Sequence, residues 1–289
     1  MIKILICVFL CTLCLTVDAK AISSEVGTYK KTHIRLSNVI NELQFNTTSF
    51  VFRSRFNGFR DKRHYNNRRD SVLVIPDDSR PDSITMVVWF HGLGGFSEKT
   101  FRRVLTQAKK VSSEGHSIAV AIPEMPWSIN TSTKRSRQGR VWEYADDLEN
   151  YINENVSLIN DWAAMTHDLD AGSIRIIFVG HSAGGSALKS AAIEGGLCRL
   201  KPIAVVWSDA SYDHWFQKAW AGCVNTSTTN THVIVRRWDT PHRRTSDYIR
   251  DLPPSPGRMH YHVMDRKLWT HGGIGDNALS ISEVFKPGC

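Results

Sequence analysis

The chain contains few cysteines, no internal repeat and no low-complexity tract. Cys198, Cys223 and Cys289 are widely spaced, which argues against a cysteine metal site, and no cofactor is expected. Beyond the N-terminal region, no apolar run is long enough to cross a bilayer, so we expect no stable membrane anchor. No nucleic-acid recognition module is visible, and we expect no nucleic-acid partner. The 42% of hydrophobic residues is enough for one sizeable catalytic domain.

The N-terminus has the pattern of a secretory signal peptide. Lys3 precedes the apolar run Ile4–Leu15, and the small residues that end at Ala19 suit a cleavage site. A membrane anchor is the alternative, but the run is short for a bilayer span. We predict a signal peptide over residues 1–19, a single domain over residues 20–289 and a secreted, extracellular protein.

The remaining cysteines fit an exported protein. Cys7, Cys11 and Cys14 leave with the predicted signal peptide. Cys198 and Cys223 bracket a predicted strand, and we expect them to form a disulfide. Cys289 is then free or intermolecular. Four N-x-S/T sequons permit glycosylation, at Asn46, Asn130, Asn155 and Asn225.

The stretch Ile176–Gly185 is the most informative part of the chain, because an apolar β-branched run meets the turn GHSAG. A serine at the tip of a sharp strand-to-helix turn is typical of a nucleophile elbow, and Gly180 and Gly184 supply the small residues that the turn needs. Ser186–Ile193 predicts a helix whose first amides point back at the serine. We therefore predict Ser182 as a nucleophile.

A second glycine-rich turn follows the apolar run Ile84–Phe90 and reads HGLGG from His91. Such a turn can present backbone N–H groups to a carbonyl oxygen that becomes anionic during acyl transfer. We expect the amides of Leu93 and Ala183 to form this oxyanion hole. An ordinary βα turn is the alternative for either motif alone, and the occurrence of both favours the catalytic interpretation.

The two motifs together resemble the α/β-hydrolase superfamily, over roughly Ser71 to the C-terminus. The resemblance implies an α/β fold with a mostly parallel central sheet, helices on both faces, and a triad in the chain order serine, acid, histidine. The alternation of apolar runs with segments such as Trp142–Met165, which has helical spacing, supports this independently. Further strands are predicted at Ser71–Ile75, Ser117–Ile122, Ile203–Ser208, His232–Arg236 and Met259–Met264.

His271 is the candidate general base. It follows the last predicted strand in the turn WTHGG, where the superfamily places its histidine. An imidazole that titrates near neutrality can take the proton of Ser182 and return it to the leaving group. His260 and His262 lie within the predicted strand, where internal packing is the simpler role.

Two aspartates are candidates for the triad acid, because Asp209 and Asp239 each end a predicted strand between the serine and the histidine. The common superfamily topology places the acid two strands after the serine strand and selects Asp239. Other members place it one strand after, and the turn SDASY resembles the D-x-x-Y strand ends of some bacterial and phage-type members. We favour Asp209 narrowly, since arginines around Asp239 compete for its carboxylate.

The formal net charge is +8, and the sequence pI is about 9.2. One cluster of basic residues, Arg236–Arg244, falls at a strand end that the implied architecture places near the active-site rim. We expect Arg237 there to meet an anionic, small or polymeric, substrate. The other predicted substrate contacts are His91, Gly92 and His181 in the two turns, and the aromatic rings of Trp127 and Tyr212 at strand ends.

These observations predict a secreted serine hydrolase of the carboxylesterase type that works through an acyl-enzyme. An amidase or peptidase with the same triad is one alternative, and a catalytically silent hydrolase fold that serves as a secreted binding protein is another. A lipase with an apolar lid is disfavoured, because Arg135–Val141 is polar and no lid segment is evident.

Overall fold

The computed structural model describes residues 19–54, 70–93, 95–125, 127–130, 135–138, 146–194, 196–252 and 258–286. It contains an eight-stranded sheet with the strand order β1-β2-β4-β3-β7-β8-β9-β10, and a two-stranded sheet formed by β5 and β6. The strands are β1 Thr47–Arg53, β2 Asp70–Pro76, β3 Thr85–Phe90, β4 Ile118–Pro123, β5 Trp127–Asn130, β6 Arg135–Gln138, β7 Arg175–His181, β8 Ala204–Ser208, β9 Asn230–Arg236 and β10 Met259–Met264.

The large sheet is mostly parallel. Strand β2 runs antiparallel to β1 and to β4, and every other neighbouring pair in the sheet is parallel. At one edge Phe90 pairs with Gly180, and His181 pairs with Ser208. The chain segments that follow β3, β7 and β8 therefore leave the sheet side by side, which brings three distant parts of the sequence to one edge.

Helices cover both faces of the sheet. Alternate strand residues point to opposite faces, so Leu73 joins one core and Val72 joins the other. Helices α3, α4 and α6 pack on the first face, and α1, α2, α8 and α9 pack on the second. The helices are α1 Ala19–Leu43, α2 Glu98–Ser113, α3 Asp147–His167, α4 Gly185–Ile193, α5 Gly196–Arg199, α6 Trp215–Gly222, α7 Thr240–Arg250, α8 His271–Asp276 and α9 Ala278–Ser282.

The predicted fold class is confirmed, and the strands predicted from apolar runs are present with shifts at their ends. The helix expected over Trp142–Met165 is described from Asp147, and it ends at His167. The sequence patterns do not predict α1 or β1. In β1 only Val51 is buried, because the strand lies at the edge of the sheet, so it lacks the continuous apolar run of the central strands.

The sulfur atoms of Cys198 and Cys223 lie 1.93 Å apart, at disulfide distance, and join α5 to the end of α6. Residues 1–18, which hold most of the predicted signal peptide, and Cys289 lie outside the described residues. None of the described helices combines the length and the apolar character needed to span a membrane.

The sequons differ in accessibility. Asn155 is completely buried in α3, where its side-chain amide donates a hydrogen bond to the carbonyl of Tyr151. A buried amide cannot carry a glycan in the folded protein, so the expectation for Asn155 is wrong. Asn46 and Asn225 are exposed. The side chain of Asn130 lies outside the described part of the chain.

Candidate active site

Ser182 occupies the turn between β7 and α4. Its backbone φ is +55°, a left-handed conformation that is strained for a residue with a side chain. A short 3-10 turn over Ser182–Gly184 leads directly into α4. A Cβ atom on Gly184 would collide with the carbonyl oxygen of Phe90, which explains why glycine occupies that position. The turn thus projects Ser182 from the carboxyl edge of the sheet.

His271 begins α8 and contacts Asp209, which follows β8. Its Nδ1 lies 2.6 Å from Oδ2 of Asp209, and the Asp209 side chain is almost fully buried. The other carboxylate oxygen accepts a hydrogen bond of 3.4 Å from the backbone N–H of Arg236. Because an ionised carboxylate only accepts hydrogen bonds, the Nδ1 of a neutral His271 carries the proton. Its Nε2 is then available as a proton acceptor.

Asp239 has different partners. It precedes α7. Its carboxylate forms an ion pair with the Arg236 guanidinium, 3.0 Å away, and lies 3.8 Å from Nε of Arg266. Of the two candidate acids, Asp209 is the one that the described part of the chain brings to His271.

The loop after β3 lies against the serine. A Cβ atom on Gly92 would stand 2.8 Å from the Cβ of Ser182, so only glycine allows this approach. His91 is buried, and its Nε2 accepts a 2.8 Å hydrogen bond from the backbone N–H of Met125. Its Nδ1 therefore carries the proton and donates, over 2.8 Å, to the carbonyl of Gly92. This contact holds the loop, and the substrate contact expected for His91 stays a prediction.

The His91 hydrogen bond has a consequence for the amide of Leu93. In a planar trans peptide the N–H points away from the preceding C=O. Holding the Gly92 carbonyl towards His91 therefore directs the Leu93 N–H to the opposite side of that peptide. Burial lowers the pKa of His91 to about 4, so the ring stays neutral near pH 7 and keeps this tautomer.

His181 is buried beside His271 and also lines the cavity described below. The two rings stack with centroids 4.8 Å apart, and Nε2 of His181 lies 3.3 Å from the His271 carbonyl oxygen. Its Nδ1 lies 3.2 Å from a guanidinium nitrogen of Arg103. Burial, followed by the positive charge of Arg103, lowers the pKa of His181 to about 3. The ring is therefore neutral over the physiological range.

Tyr212 lies beside the candidate general base. Its ring meets the His271 ring edge-on, with the ring centroids 6.3 Å apart. Burial and then the nearby charge of Asp209 raise the pKa of Tyr212 well above its usual value, so the phenol remains a hydrogen-bond donor.

Arg237 is exposed on the loop after β9. The side chain of Trp127 lies outside the described residues.

A cavity of about 350 Å³ lies beside the candidate nucleophile and the candidate base. Ser182 and His271 both line it. Two basic residues of α2, Lys99 and Arg103, line it as well, although no sequence pattern indicates them. No local motif marks them, because they reach the cavity only through the packing of α2 beside the elbow. Within the described ranges, no group of three or more His, Cys, Asp or Glu side chains is arranged to hold a metal ion. The lining residues are Gly92, Leu93, Ser97, Lys99, Thr100, Arg103, His181, Ser182, His271 and Gly272.

No protein-family model and no curated protein matches the sequence. Among solved structures, the chain is similar to an IroE-like serine hydrolase from Shewanella oneidensis, with a TM-score of 0.51 and 12% identity over 83% of this chain and 79% of that one. It is also similar to the esterase LipW from Mycobacterium marinum, with a TM-score of 0.46 and 12% identity over 94% and 92% of the two chains. A third similar structure is the fluorophosphonate-binding serine hydrolase FphF from Staphylococcus aureus, with a TM-score of 0.47 and 15% identity over 82% and 98%.

Because these identities are low, the likeness shows the fold alone. This conclusion rests on the structure from Shewanella oneidensis, whose TM-score is 0.51. The large sheet of this chain has eight strands, with the antiparallel strand β2 near one end and β4 between β2 and β3. The resemblance that the two glycine-rich motifs indicate is thus confirmed at the level of the fold: this chain has the α/β-hydrolase fold.

Proposed function

We propose that this protein is a serine hydrolase that cleaves carboxylic esters through Ser182, His271 and Asp209. The observation that carries the proposal is the 2.6 Å contact between His271 Nδ1 and the buried Asp209 carboxylate, at a cavity that Ser182 also lines. A buried carboxylate that orients an imidazole beside a strained serine is the arrangement that nucleophilic acyl transfer requires.

In the proposed reaction, Ser182 Oγ attacks the acyl carbon while its proton passes to His271 Nε2. The carbonyl oxygen becomes an oxyanion that the amides of Leu93 and Ala183 stabilise. Collapse of the tetrahedral intermediate breaks the ester C–O bond, and the leaving alcohol takes the proton from His271. Water, deprotonated by the same histidine, then releases the acid from the acyl-enzyme.

Asp209 has two roles in this scheme. Its carboxylate holds the His271 ring in the tautomer whose Nε2 can accept a proton, and its negative charge stabilises the imidazolium that forms. Asp239 is engaged with Arg236 and Arg266, which supports a structural role for it.

The substrate that we propose is a small ester, or an ester group on a polymer, with an anionic group near the scissile bond. Lys99 supports this proposal, because it lines the cavity at the start of α2. The neighbouring Arg103 also lines the cavity, but its charge is offset by a 2.6 Å ion pair with Asp276. Arg237, exposed on the loop after β9, is a second candidate for contact with a polymeric anion.

An extracellular location is part of the proposal. The signal-like N-terminus, with residues 1–19 removed and 20–289 as the mature domain, supports it, and so does the cysteine pair at disulfide distance.

A fluorophosphonate probe, peptide mass spectrometry and the variant Ser182→Ala test the nucleophile. We expect one adduct on Ser182 that the variant lacks. A folded wild type that is not labelled and does not hydrolyse esters contradicts the proposal and favours a binding protein.

Substrate pairs separate the remaining alternatives. Aryl esters and anilides with the same acyl group differ only in the leaving group, and we expect turnover of the esters alone. Comparable turnover of the anilides would favour the amidase alternative. Esters with and without a carboxylate, assayed in Lys99→Ala and at rising salt, test the anionic preference, because screening weakens exposed charge interactions.

A further inference from the structure

Arg103 of α2 makes three polar contacts with parts of the chain that are far from it in sequence. Its Nε donates to Asp276 over 2.6 Å, and one Nη lies 3.2 Å from Nδ1 of His181. The other Nη donates to the carbonyl of Gly272 over 3.4 Å. The Arg103 side chain is only 12% exposed. One guanidinium therefore joins α2, the nucleophile elbow and both ends of α8.

The direction of each hydrogen bond follows from the chemistry of the guanidinium, which has donors and no acceptor. Nδ1 of His181 must then be the acceptor, so the proton of this neutral ring lies on Nε2. That nitrogen donates to the carbonyl oxygen of His271, 3.3 Å away. Asp276, Arg103, His181 and the His271 backbone thus form one continuous chain of contacts.

The backbone around His271 needs such external support. His271 is the first residue of the short helix α8, and two glycines follow it, which fix the backbone less than other residues do. The cap of α8 is a single 2.8 Å hydrogen bond from the Gly273 N–H to Thr270. His181 holds the carbonyl of His271, and Arg103 holds that of Gly272, while Asp209 holds the side chain.

We propose that Arg103 is a positioning residue, which holds the His271 backbone and the His181 ring so that His271 keeps its place relative to Ser182. This inference rests on the proposed function, because it assigns Arg103 a part in the same reaction. Arg103 takes no proton from the substrate. It acts through His181 and the backbone of α8.

The test replaces Arg103 by methionine and follows hydrolysis of an uncharged aryl ester, so that the charge of Arg103 does not affect substrate binding. A small displacement of the general base lowers the chemical step, and we expect kcat to fall about 10- to 100-fold while KM changes less than about twofold. Arg103→Lys keeps the charge but not the planar fork, and we expect an intermediate kcat.

Arg102→Met is the matched control. Arg102 is the neighbouring residue of α2, but it pairs with Glu42 on the exposed side of the helix. We expect its kcat to match that of the wild type. Equal kcat in Arg103→Met, Arg102→Met and the wild type would overturn the proposal.

Asp276→Asn is a second variant for the case that Arg103→Met does not fold. Asp276 is 53% exposed, so its replacement does not disturb the core, and it removes the ion pair of the Arg103 side chain, which is 12% exposed. Loosening Arg103 should lower kcat about 3- to 10-fold with KM unchanged. Unchanged kcat here counts against the proposal. In ¹⁵N spectra of the imidazoles, the His181 Nδ1 signal should shift in Arg103→Met, because this nitrogen loses its hydrogen-bond donor, and an unaltered signal counts against the proposal too.

The wild-type enzyme separates failure of this inference from failure of the proposed function. If the wild type carries no fluorophosphonate adduct and hydrolyses no ester, the proposed function fails and the inference fails with it. If the wild type is active and the Arg103 and Asp276 variants are equally active, only the role of Arg103 is refuted.

Discussion

Two aspartates at neighbouring strand ends differ in what they contact. Asp209 faces His271 from a buried position, whereas Asp239 is enclosed by Arg236 and Arg266. Both lie shortly after a strand of the large sheet, so the identity of the acid depends on which carboxylate reaches the imidazole. The contacts of the two side chains, and not the sequence around them, distinguish the two candidate acids.

The substitution Asp209→Asn should therefore disable the enzyme. An amide at this position favours the wrong tautomer of His271, and we expect kcat to fall by about 10⁴-fold. Asp239→Asn is the matched control, for which we expect a change of less than about threefold, since a partly exposed ion pair contributes little. Steady-state kinetics on an aryl ester measure both. A larger loss in Asp239→Asn than in Asp209→Asn would assign the triad to the other acid.

Gly92 tests the approach of the loop after β3 to Ser182, the proposed nucleophile. Alanine there would place a methyl group 2.8 Å from the Cβ of Ser182, so the loop must move away from the serine. We expect a loss of kcat of about 100-fold or more, because the amide of Leu93 is displaced. Gly222→Ala is the control, since the nearest atom to its new methyl group lies at 3.4 Å. Labelling rates with a fluorophosphonate compare the two, and equal rates would refute the close approach.

At the level of elements, the turns that hold Ser182 and Gly92 lie together because β3 and β7 are parallel neighbours in the sheet. Strand β8 adds Asp209 on the other side of β7. Helices α2, α4 and α6 follow these three strands and pack against the sheet beside the turns. The cysteine pair lies further away, between α5 and the end of α6, and supports this layer of helices rather than the catalytic groups.

Removing the cysteine pair should therefore lower stability and spare activity. The bond closes a loop with a sequence separation of 25 residues, and its loss should cost about 3 kcal/mol through the greater freedom of the unfolded chain. Denaturant unfolding of Cys198→Ser/Cys223→Ser against the wild type measures this change. Similar kcat in both proteins is expected, and a large loss of kcat in the folded variant would show that the pair also supports the site.

At the scale of the whole molecule, buried neutral histidines connect stability to pH. Burial is the main cause that lowers the pKa of His91 to about 4 and of His181 and His232 to about 3. His232 of β9 stacks against His260 and His262 of β10 at 4.4 Å and 5.9 Å. Neither of its ring nitrogens has a hydrogen-bond partner in the described part of the molecule.

The sign of the pH dependence follows from these lowered values. Below the ordinary histidine pKa of about 6.5 the unfolded chain binds protons that the folded protein cannot bind until about pH 4 to 3. The contribution of these histidines to stability is complete above about pH 6.5, and it is lost as the pH falls from there to about pH 3. Each histidine removes up to about 1.4 kcal/mol of unfolding free energy per pH unit.

His232→Leu isolates one of these contributions. The variant should unfold with a flatter pH dependence between pH 6.5 and 4, by about 1 kcal/mol per pH unit, because it removes a group that only the unfolded chain protonates. Urea unfolding at several pH values measures the slope. His33→Gln on the exposed side of α1 is the control and should keep the wild-type slope. An unchanged slope in His232→Leu would contradict the prediction.

Local patterns in the sequence determined the fold class, the central strands and the two glycine-rich turns. A buried parallel strand needs a continuous apolar run, and a sharp turn needs small residues, so both leave a signature within a few positions. Edge strand β1 and helix α1 lack such a signature, since only part of each is buried. Ser182 and His271 are marked by their own motifs and remain the proposed nucleophile and base.

Only the tertiary structure decided which carboxylate reaches His271, that His91 and His181 hold backbone groups, and that Lys99 and Arg103 line the cavity. Each of these facts depends on a contact between segments that are far apart in the chain. A hydrogen bond forms over about 3 Å, whereas sequence patterns place elements only to within a residue or two, and each residue of strand spans about that distance. The physical reason is thus one of precision: burial can be recognised from composition, but the pairing of individual polar atoms requires the packed structure.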